Sequence, residues 1–387
     1  MVPRPRLMTG GEAVAEAMCQ VDPDVIPIYP ITPQTPIIET FANLVAEGRA
    51  TGELIHVESE HSAMSAAVGA SLAGARTFTA TASQGLALMI EIVYIAASMR
   101  APIVMAVGNR ALSGPINIHC DHSDSMLARD SGAIQIFVES AQDAYDFMIM
   151  APRIAEHPEV LLPVMICLDG FTITHGAEPV LTIPYEDVSR FVGPYVIPHP
   201  LLRLDEPTTQ GPFAMHDCYF ELKYQQVHAM DRALEVFDEI VEEYAQLTGR
   251  GYGAVESYRI DDAESVIVVM GSTVGTIKDV VDQLRQEGQA VGVLAIRSFR
   301  PFPHAQLRIA LAGVGAVATL ERAVSPGGYP PLFQEVSVAL GMLSTPVRPY
   351  VFGLGGRDLD MHQIADVYSD LSSPACTDAV VYLGLRH

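Results

Sequence analysis

The sequence predicts an α/β protein in which a parallel sheet is flanked by helices. Along most of its 387 residues, short apolar runs typical of buried strands alternate with stretches that have helical spacing. The clearest unit spans residues 54–85, where two strand-like runs each lead into a helix. Such alternation is typical of βαβ units, whose parallel strands present ligand-binding loops at their carboxyl ends.

The composition favours large buried sheets or a large subunit interface, since 49% of the residues are hydrophobic and the mean hydropathy is +0.24. The formal net charge of −23 argues against nucleic acid as a partner. We expect neither a membrane span nor a signal peptide, because no sufficiently long apolar run is present. The five cysteines never form Cys-x-x-Cys, which predicts reduced thiols in the cytoplasm and no iron–sulfur or zinc site in this chain.

The first helix is predicted over residues 10–20. Thr9 directly precedes this helix and Glu12 lies in its first turn, which is the spacing of a capping box. In such a box each side chain accepts the backbone N–H of the other residue. The apolar run that follows, residues 25–29, predicts the first strand of the alternation.

A proline-rich loop, residues 30–36, follows that strand. Its three prolines restrict the backbone to extended and turn geometry. Thr32 presents a hydroxyl at the carboxyl end of the strand, so the loop is a candidate wall of a site. We expect Thr35 to cap the next helix, with Pro36 at the first helical position. An ordinary strand-to-helix turn explains the loop equally well.

The helix that begins at Glu60 consists largely of small residues. Because such a helix has little bulk, we expect another element or a ligand to lie close against its backbone. The next strand, residues 76–81, leads to Ser83 and Gln84, where a further helix begins. The strand after that helix delivers Arg110 at its carboxyl end.

The rest of the first region continues the alternation. In order we expect an irregular segment (residues 111–132), a strand (132–138), a helix after Ala141, a strand (162–170), a surface excursion (176–211) and an amphipathic helix (217–247). An irregular segment as long as the first of these is usually functional.

A second and smaller α/β alternation begins at Ser265. Gly271 and Gly275 follow its first strand and resemble half of a phosphate-binding loop. No complete Gly-x-Gly-x-x-Gly or P-loop fingerprint occurs in the chain. We therefore favour the simpler interpretation, in which these glycines allow a strand and a helix to pack tightly.

Thr32, Glu60 and Arg110 each stand at the carboxyl end of a predicted strand. A hydroxyl, a carboxylate and a guanidinium at one edge suit a small carboxylated substrate, because a guanidinium binds a carboxylate with two hydrogen bonds. Two alternatives stay open. Arg110 can form a structural salt bridge, and Glu60 can simply place a negative charge at a helix N-terminus.

The cluster His119-Cys120-Asp121-His122-Ser123-Asp124 contains metal-ligand residue types. Ligands spaced so densely in a loop rarely enclose a tetrahedral ion, and no second pair of ligands occurs elsewhere. We therefore predict no metal site here and favour a loop on the substrate side or at an interface.

Several long motifs resemble the α subunits of 2-oxoacid:ferredoxin oxidoreductases, and most of all the pyruvate:ferredoxin oxidoreductase branch. They are YPITPQTPI, ESEHSAMSAAVGASLAGARTFTATASQGL, NRALSGPINIHCDHSDSMLARDSG, VESAQDAYD and LPVMICLDGFTITH. In the smaller region, SFRPFP and VSPGG resemble the family's transketolase-C-terminal-like module. The resemblance covers nearly the whole chain.

The resemblance implies a site for thiamine diphosphate. Glu60 matches the family's glutamate that hydrogen-bonds N1′ of the aminopyrimidine and so promotes removal of the C2 proton. Thr32 and Arg110 match residues that hold the oxygen atoms of the 2-oxoacid. Ser83 and Gln84 lie on the next loop and are expected to contact the ring.

The resemblance also implies partner subunits. The family holds the diphosphate through Mg²⁺ with a Gly-Asp-Gly segment and a later asparagine. This chain has only Leu168-Asp169-Gly170, and no asparagine follows Asn117. We therefore expect a β subunit to supply Mg²⁺ and the diphosphate side of the site. We expect γ and δ subunits, or fusions of them, to carry [4Fe-4S] clusters. The isolated chain should be inactive without these partners.

We accordingly expect a pyrimidine-binding thiamine diphosphate-fold domain over residues 1–255 and a transketolase-C-terminal-like α/β domain over residues 256–387. The implied reaction is the reversible, coenzyme A-dependent oxidative decarboxylation of pyruvate to acetyl-CoA and CO₂, with electrons passed to ferredoxin. The alternatives are the same chemistry on a branched-chain, aryl or other 2-oxoacid, and a non-catalytic structural subunit. A single-chain nucleotide-binding enzyme is disfavoured because the phosphate fingerprints are missing.

Overall fold

The structure, a computed structural model, describes residues 4–341, 343, 345–373 and 379–386. Cys376 lies outside the described residues. The first region comprises β1 (Arg6–Thr9), α1 (Gly10–Val21), β2 (Val25–Ile28), α2 (Thr35–Ala46), β3 (Glu53–His56), α3 (Glu60–Ala73), β4 (Thr77–Thr81), α4 (Ser83–Ser98), β5 (Ile103–Asn109), α5 (Ser123–Leu127), β6 (Ile134–Phe137), α6 (Ala141–Ala155), β7 (Val164–Asp169), β8 (Ala177–Val180), α7 (Tyr185–Val192) and α8 (Tyr219–Thr248).

The second region comprises β9 (Val255–Tyr258), β10 (Ser265–Val269), α9 (Thr273–Gln286), β11 (Val291–Ile296), β12 (Ser298–Arg300), α10 (His304–Ala310), β13 (Ala316–Glu321), α11 (Pro331–Leu340), β14 (Val347–Val351), a 3₁₀ turn (Leu354–Gly356), α12 (Met361–Leu371) and β15 (Val381–Tyr382). None of the helices in the described residues is both long and apolar enough to cross a membrane.

Two parallel sheets dominate the fold, which confirms the predicted α/β class. The larger sheet has the order β12-β6-β7-β5-β4-β2-β3 and is parallel apart from β12, which runs antiparallel to β6. The smaller sheet has the order β15-β14-β13-β10-β11-β9, with only β9 antiparallel to its neighbour. A short antiparallel pair, β1 with β8, lies apart from both sheets.

The two sheets share part of one apolar core. Buried side chains of α3, α4 and β5 belong to the same cluster as side chains of β10, β11 and α11. In addition, β12 follows β11 in the chain but pairs with β6 in the larger sheet. Because of this crossing strand, no single cut in the chain separates the two sheets completely, and the boundary near residue 255 stays a prediction.

The capping box at the first helix is confirmed. The Thr9 backbone N–H donates to a Glu12 carboxylate oxygen at 2.7 Å, and the Glu12 N–H donates to Thr9 Oγ1 at 3.2 Å. The predicted cap at Thr35 is wrong, because α2 begins one residue earlier than a Thr35 cap requires. Gln34 is the capping residue there and makes no side-chain cap, since its Nε2 instead donates to the Tyr29 carbonyl.

The surface excursion predicted over residues 176–211 contains two elements that the sequence did not reveal. Strand β8 pairs with β1, and helix α7 packs against α1 and α6. The amphipathic helix α8 forms as predicted and ends at Gly249, which adopts the left-handed conformation with φ 76°.

The two glycines after β10 have different explanations. Gly271 has φ +75°, and a Cβ there would lie 2.8 Å from Oδ1 and 2.9 Å from Oδ2 of Asp169, so it permits close packing as predicted. A Cβ at Gly275 would meet no heavy atom within 4 Å, so the tight-packing interpretation is wrong for this residue. Gly275 lies in the first turn of α9, where an added methyl group has open space.

The two positions offer a matched test of this packing. We expect Gly271→Ala to destabilise the protein by roughly 1–3 kcal/mol, since it combines an unfavourable φ with a clash against a buried carboxylate. Gly275→Ala should instead stabilise it by roughly 0.5–1 kcal/mol, because alanine is the better helix former. Urea denaturation of both variants measures these changes, and equal effects at the two positions would contradict the packing described for Gly271.

Candidate active site

Each predicted site residue lies at the carboxyl edge of the larger sheet. Thr32 follows β2, Glu60 follows β3, Ser83 follows β4 and Arg110 follows β5. These four strands are consecutive in the sheet, in the order β5-β4-β2-β3. Because parallel strands present their carboxyl ends at one edge, the residues are brought to one side of the sheet.

Arg110 and Thr32 are in direct contact. Arg110 Nη1 donates to the Thr32 carbonyl oxygen at 2.9 Å, and Nε donates to the Asn117 carbonyl at 3.2 Å. The arginine is only 5% exposed, whereas Thr32 is exposed. Within the described part of the chain, Nη2 has no hydrogen-bond acceptor. The guanidinium is thus fixed by two carbonyls with one terminal nitrogen left for a further acceptor.

Glu60 is the first residue of α3 and is 7% exposed. Ser59 caps this helix by accepting the Ser62 N–H at 3.2 Å, so Glu60 is not itself the cap. A Cβ at Gly85 would lie 2.7 Å from Glu60 Oε1 and 2.6 Å from Thr81 Oγ1. The beginning of α4 therefore lies directly against the Glu60 carboxylate, and only glycine leaves room for it.

Thr81 adds a polar atom that was not predicted from the sequence. Its Oγ1 is buried and has no hydrogen-bond partner within the described residues. Because Thr81 and Glu60 both lie against Gly85, a hydroxyl and a carboxylate oxygen are close together at this edge. An unpaired buried hydroxyl is costly unless a ligand or water pairs with it.

Ser83 and Gln84 begin α4, and Ser83 is fully buried. Ser83 has φ +48°, a left-handed conformation that non-glycine residues rarely adopt. Its Oγ lies 2.5 Å from both the Ala111 carbonyl oxygen and Gln84 Oε1. The Ser83 hydroxyl is therefore engaged within the chain, and its predicted contact with a cofactor ring stays a prediction, as does that of Gln84.

Asp124 connects these loops, although it was not predicted from the sequence as a site residue. Its Oδ2 accepts the backbone N–H of Ser83 at 2.9 Å and that of Arg110 at 3.0 Å. Its Oδ1 accepts Asn109 Nδ2 at 2.9 Å and the Ser125 N–H at 2.7 Å. Burial raises the pKa of Asp124 to about 6, while these hydrogen bonds act in the opposite direction.

The loop that contains His119 and Asp124 also reaches the second region. The His122 N–H donates to the Arg322 carbonyl at 2.8 Å, and Asn117 Nδ2 donates to the Gly355 carbonyl at 3.3 Å. Arg110 Nε also donates to the Asn117 carbonyl of this loop, so the loop lies beside Arg110, and its place on the substrate side stays a prediction. The loop therefore bridges the candidate site and the second region.

Asp169, at the end of β7, connects the two regions by hydrogen bonds and an ion pair. Its carboxylate pairs with His122 Nε2 at 2.7 Å and with Arg322 Nη1 at 3.2 Å, and it accepts the Ser272 N–H and hydroxyl. Burial acts to raise its pKa, but Arg322 and His122 hold that pKa well below its usual range. This is the aspartate of the Leu168-Asp169-Gly170 segment, and its oxygens serve structure.

Ligand atoms of Cys120, His122 and Asp169 all lie within 4.8 Å of one another and are buried. Such a group is the nearest approach to a metal site among the described residues. However, Asp169 already pairs with the Arg322 guanidinium. A divalent ion would have to share the carboxylate with this fixed cation, which like-charge repulsion disfavours.

Comparison with known proteins gives two family matches. The family described as "Pyruvate flavodoxin/ferredoxin oxidoreductase, thiamine diP-bdg" matches residues 16–242, and "Pyruvate:ferredoxin oxidoreductase core domain II" matches residues 263–364. The pyruvate synthase subunit PorA of Thermotoga maritima is 56% identical over 384 residues, which is 98% of this chain and 97% of that protein. The corresponding subunit of Methanocaldococcus jannaschii is 48% identical, with 98% of each chain covered.

A ketoisovalerate oxidoreductase subunit, VorA of Pyrococcus horikoshii, is 40% identical over 95% of this chain and 94% of its own length. Among solved structures, the 2-oxoglutarate:ferredoxin oxidoreductase of Magnetococcus marinus aligns with a TM-score of 0.73 at 21% identity over 95% of this chain. This chain spans 65% of that longer protein, less than two thirds. A split-gene transketolase aligns with a TM-score of 0.57 at 15% identity, over 94% of this chain and 98% of that one.

The raised pKa of Asp124 predicts how its effect on stability depends on pH. The folded-state pKa is about 6, whereas an unfolded aspartate titrates near a pKa of about 3.9. Between these values the folded protein binds a proton that the unfolded chain does not bind, so this contribution to stability is present at low pH and is lost as pH rises through about 6.

We therefore expect wild type to gain stability relative to Asp124→Asn as the pH falls from about 7 to about 4, the range that spans the two pKa values. Urea denaturation of both proteins at several pH values gives their free energies of unfolding. The difference between wild type and variant cancels the contributions of the carboxyl groups that both proteins contain. A difference that stays constant over this range, or that changes in the opposite direction, would contradict the raised pKa.

Proposed function

The chain belongs to the pyruvate:ferredoxin oxidoreductase family of thiamine diphosphate-binding oxidoreductases, and on this basis we propose that it is the α subunit of such an enzyme. The reaction is the reversible, coenzyme A-dependent oxidative decarboxylation of pyruvate to acetyl-CoA and CO₂, with ferredoxin as electron acceptor. Relatives that carry the pyruvate synthase name reach 56% identity, against 40% for the ketoisovalerate relative, so a branched-chain substrate is not favoured.

The observation that carries this proposal is the arrangement at one edge of the sheet. A buried carboxylate, Glu60, shares this edge with Arg110, whose guanidinium is fixed against the loop of Thr32. The unpaired Thr81 hydroxyl oxygen lies beside the carboxylate. These groups fit an aminopyrimidine ring, which offers nitrogen acceptors and N–H donors to a carboxylate and a hydroxyl.

Thiamine diphosphate, when bound, supplies the carbon nucleophile that attacks the keto group of a 2-oxoacid. In this proposal Glu60 shares a proton with N1′ of the aminopyrimidine, and its buried position strengthens that hydrogen bond. Ser83 and Gln84 line the adjacent loop on the cofactor side.

Arg110 and Thr32 bind the substrate in this proposal. Nη2 of Arg110 is directed to the carboxylate of pyruvate, and the exposed Thr32 hydroxyl is directed to an adjacent oxygen. The two carbonyl acceptors on Nη1 and Nε keep the guanidinium in place before substrate arrives, so less ordering is needed on binding.

The remaining parts of the catalyst are assigned to partner subunits. We propose that a β subunit contributes Mg²⁺ and the diphosphate side of the site. This is supported by the structural use of Asp169, the one aspartate in a partly matching segment. Subunits of the γ and δ type, or fusions of them, would contribute the [4Fe-4S] clusters, and the complex would act on pyruvate, coenzyme A and ferredoxin in the cytoplasm.

Cofactor binding tests the shared site directly. We expect calorimetric titration of the isolated chain with thiamine diphosphate and Mg²⁺ to give no specific heat of binding, because the diphosphate side is missing. The co-purified complex should bind the cofactor in a Mg²⁺-dependent manner. Tight, Mg²⁺-dependent binding by the isolated chain would contradict the shared site and favour a self-contained enzyme.

The roles of Glu60 and Arg110 predict opposite patterns in the complex. Glu60→Gln removes the anion at N1′, so C2–H exchange of the bound cofactor, followed by NMR, should slow about 100-fold or more. Arg110→Lys loses the planar fork and should lower kcat/KM for pyruvate by about 10- to 150-fold, the equivalent of roughly 1.5–3 kcal/mol. Without substrate, C2 exchange in Arg110→Lys should stay near the wild-type rate.

Thr32→Val is the milder companion variant, since it removes a neutral hydroxyl at nearly constant volume and should weaken pyruvate binding less than Arg110→Lys does. If Glu60→Gln exchanged at the wild-type rate, Glu60 would be only a charge at the helix start, and a non-catalytic structural subunit would become the better description. If Arg110→Lys abolished C2 exchange but left KM for pyruvate unchanged, Arg110 would belong to the cofactor side or to an interface.

A further inference from the structure

We propose that Asp124 is a positioning residue that holds the cofactor side and the substrate side of the site in register. The inference rests on the proposed function and adds a residue to it. Its basis is one oxygen atom, Oδ2, which accepts the backbone N–H groups of both Ser83 and Arg110. These residues follow neighbouring strands of the sheet, β4 and β5.

On the cofactor side, Asp124 acts through Ser83. The left-handed conformation of Ser83 is unfavourable for a residue with a side chain, so it persists only where surrounding contacts impose it. The N–H bond to Asp124 and the hydroxyl bond to the Ala111 carbonyl are those contacts. Two residues later, Gly85 lies against the Glu60 carboxylate. The position of Ser83 therefore sets the space in which the Glu60 side chain lies.

On the substrate side, Asp124 acts through Arg110. It holds the backbone N–H of the arginine, while the side chain reaches the carbonyls of Thr32 and Asn117. A shift of the Arg110 backbone would move the guanidinium away from both carbonyls. Asp124 thereby connects four of the predicted site residues, directly at Ser83 and Arg110 and through them at Glu60 and Thr32.

Asp124 itself is not placed to touch substrate or cofactor. It is completely buried, and both of its oxygens already accept two hydrogen bonds each. Its residue type is essential to this arrangement, because a carboxylate accepts at both oxygens whereas an amide accepts at only one. In Asp124→Asn, an NH₂ group must face either the N–H groups of Ser83 and Arg110 or those of Asn109 and Ser125.

The test compares Asp124→Asn with wild type in the assembled complex. Without cofactor, hydrogen–deuterium exchange of the amides at Ser83 and Arg110 should become faster in the variant. With cofactor, C2–H exchange and kcat/KM for pyruvate should both fall about 10- to 100-fold, since small displacements of reacting groups have effects of this size. This double loss distinguishes Asp124 from Arg110, whose variant should keep C2 exchange near the wild-type rate. The faster exchange of both amides distinguishes Asp124 from Glu60, because it is Asp124 that accepts the N–H groups of Ser83 and Arg110.

Asp146→Asn is the matched control. Asp146 is also a fully buried carboxylate of the first region, but it accepts hydrogen bonds from Tyr244, Arg250 and Tyr252 away from the candidate site. The control should lower thermal stability yet leave C2 exchange and kcat/KM per assembled complex within about twofold of wild type. Equal losses in both variants would mean that destabilisation alone explains the effect of Asp124→Asn, and would overturn the proposal.

Asn109→Ala keeps the proposal testable if Asp124→Asn fails to assemble. It removes the Nδ2 donor that holds Oδ1 of Asp124 and leaves the bonds to Oδ2 in place. It should produce a smaller double loss in the same direction, and wild-type values for both steps would overturn the proposal. If the wild-type complex showed neither C2 exchange nor pyruvate turnover, the proposed function would be wrong, and amide protection alone would decide whether Asp124 positions the two loops.

Discussion

The arrangement of the candidate site depends on a buried carboxylate that is surrounded by donors. Asp124 has no exposed surface, and four N–H groups converge on its two oxygens. A buried charge is costly unless hydrogen bonds replace its lost hydration. The loops after β4 and β5 must therefore keep their N–H groups directed at this residue. The same requirement that stabilises Asp124 holds Ser83 and Arg110 at a fixed separation.

A second buried carboxylate extends this constraint to the smaller sheet. Asp169 receives Ser272 and Arg322 from the second region and His122 from the loop that leads to Asp124. That loop also donates to the Arg322 and Gly355 carbonyls. The second region thus holds the loop that leads to the candidate site, through side-chain contacts to Asp169 and through backbone carbonyls that accept from the loop.

Sequence patterns were sufficient for the α/β class and for the placement of Glu60 and Arg110. Both conclusions depend on local apolar runs and on the rule that parallel strands end at one edge. The role of Asp124 was not accessible in this way, because the two N–H groups that its Oδ2 accepts lie 14 and 41 positions away in the chain. Strand β12 was missed for a related reason. It has three residues, and only its pairing with β6 identifies it as a strand.

The small residues of α3 lie both on the side of the helix that faces the core and on the side that is exposed. The side of the helix that faces the core carries Ala63, Ala67 and Ser71, which are buried where α3 packs against α4, β2 and β4. The opposite side carries Ser65 and Gly69, which are exposed in this chain, and nothing lies within 4 Å of a Cβ placed at Gly69. Packing inside the described chain therefore does not account for the lack of bulk on that side.

An explanation from outside the chain is available in the proposed assembly. Because α3 begins at Glu60, a β subunit that completes the cofactor site, as proposed above, would come close to the side of α3 that carries Ser65 and Gly69. Small side chains let a second backbone come near without displacing Glu60, which a row of large residues would prevent. The predicted close contact is thus made within the chain on the side that carries Ala63, Ala67 and Ser71, and under the proposed assembly the exposed side would be left free for a second backbone.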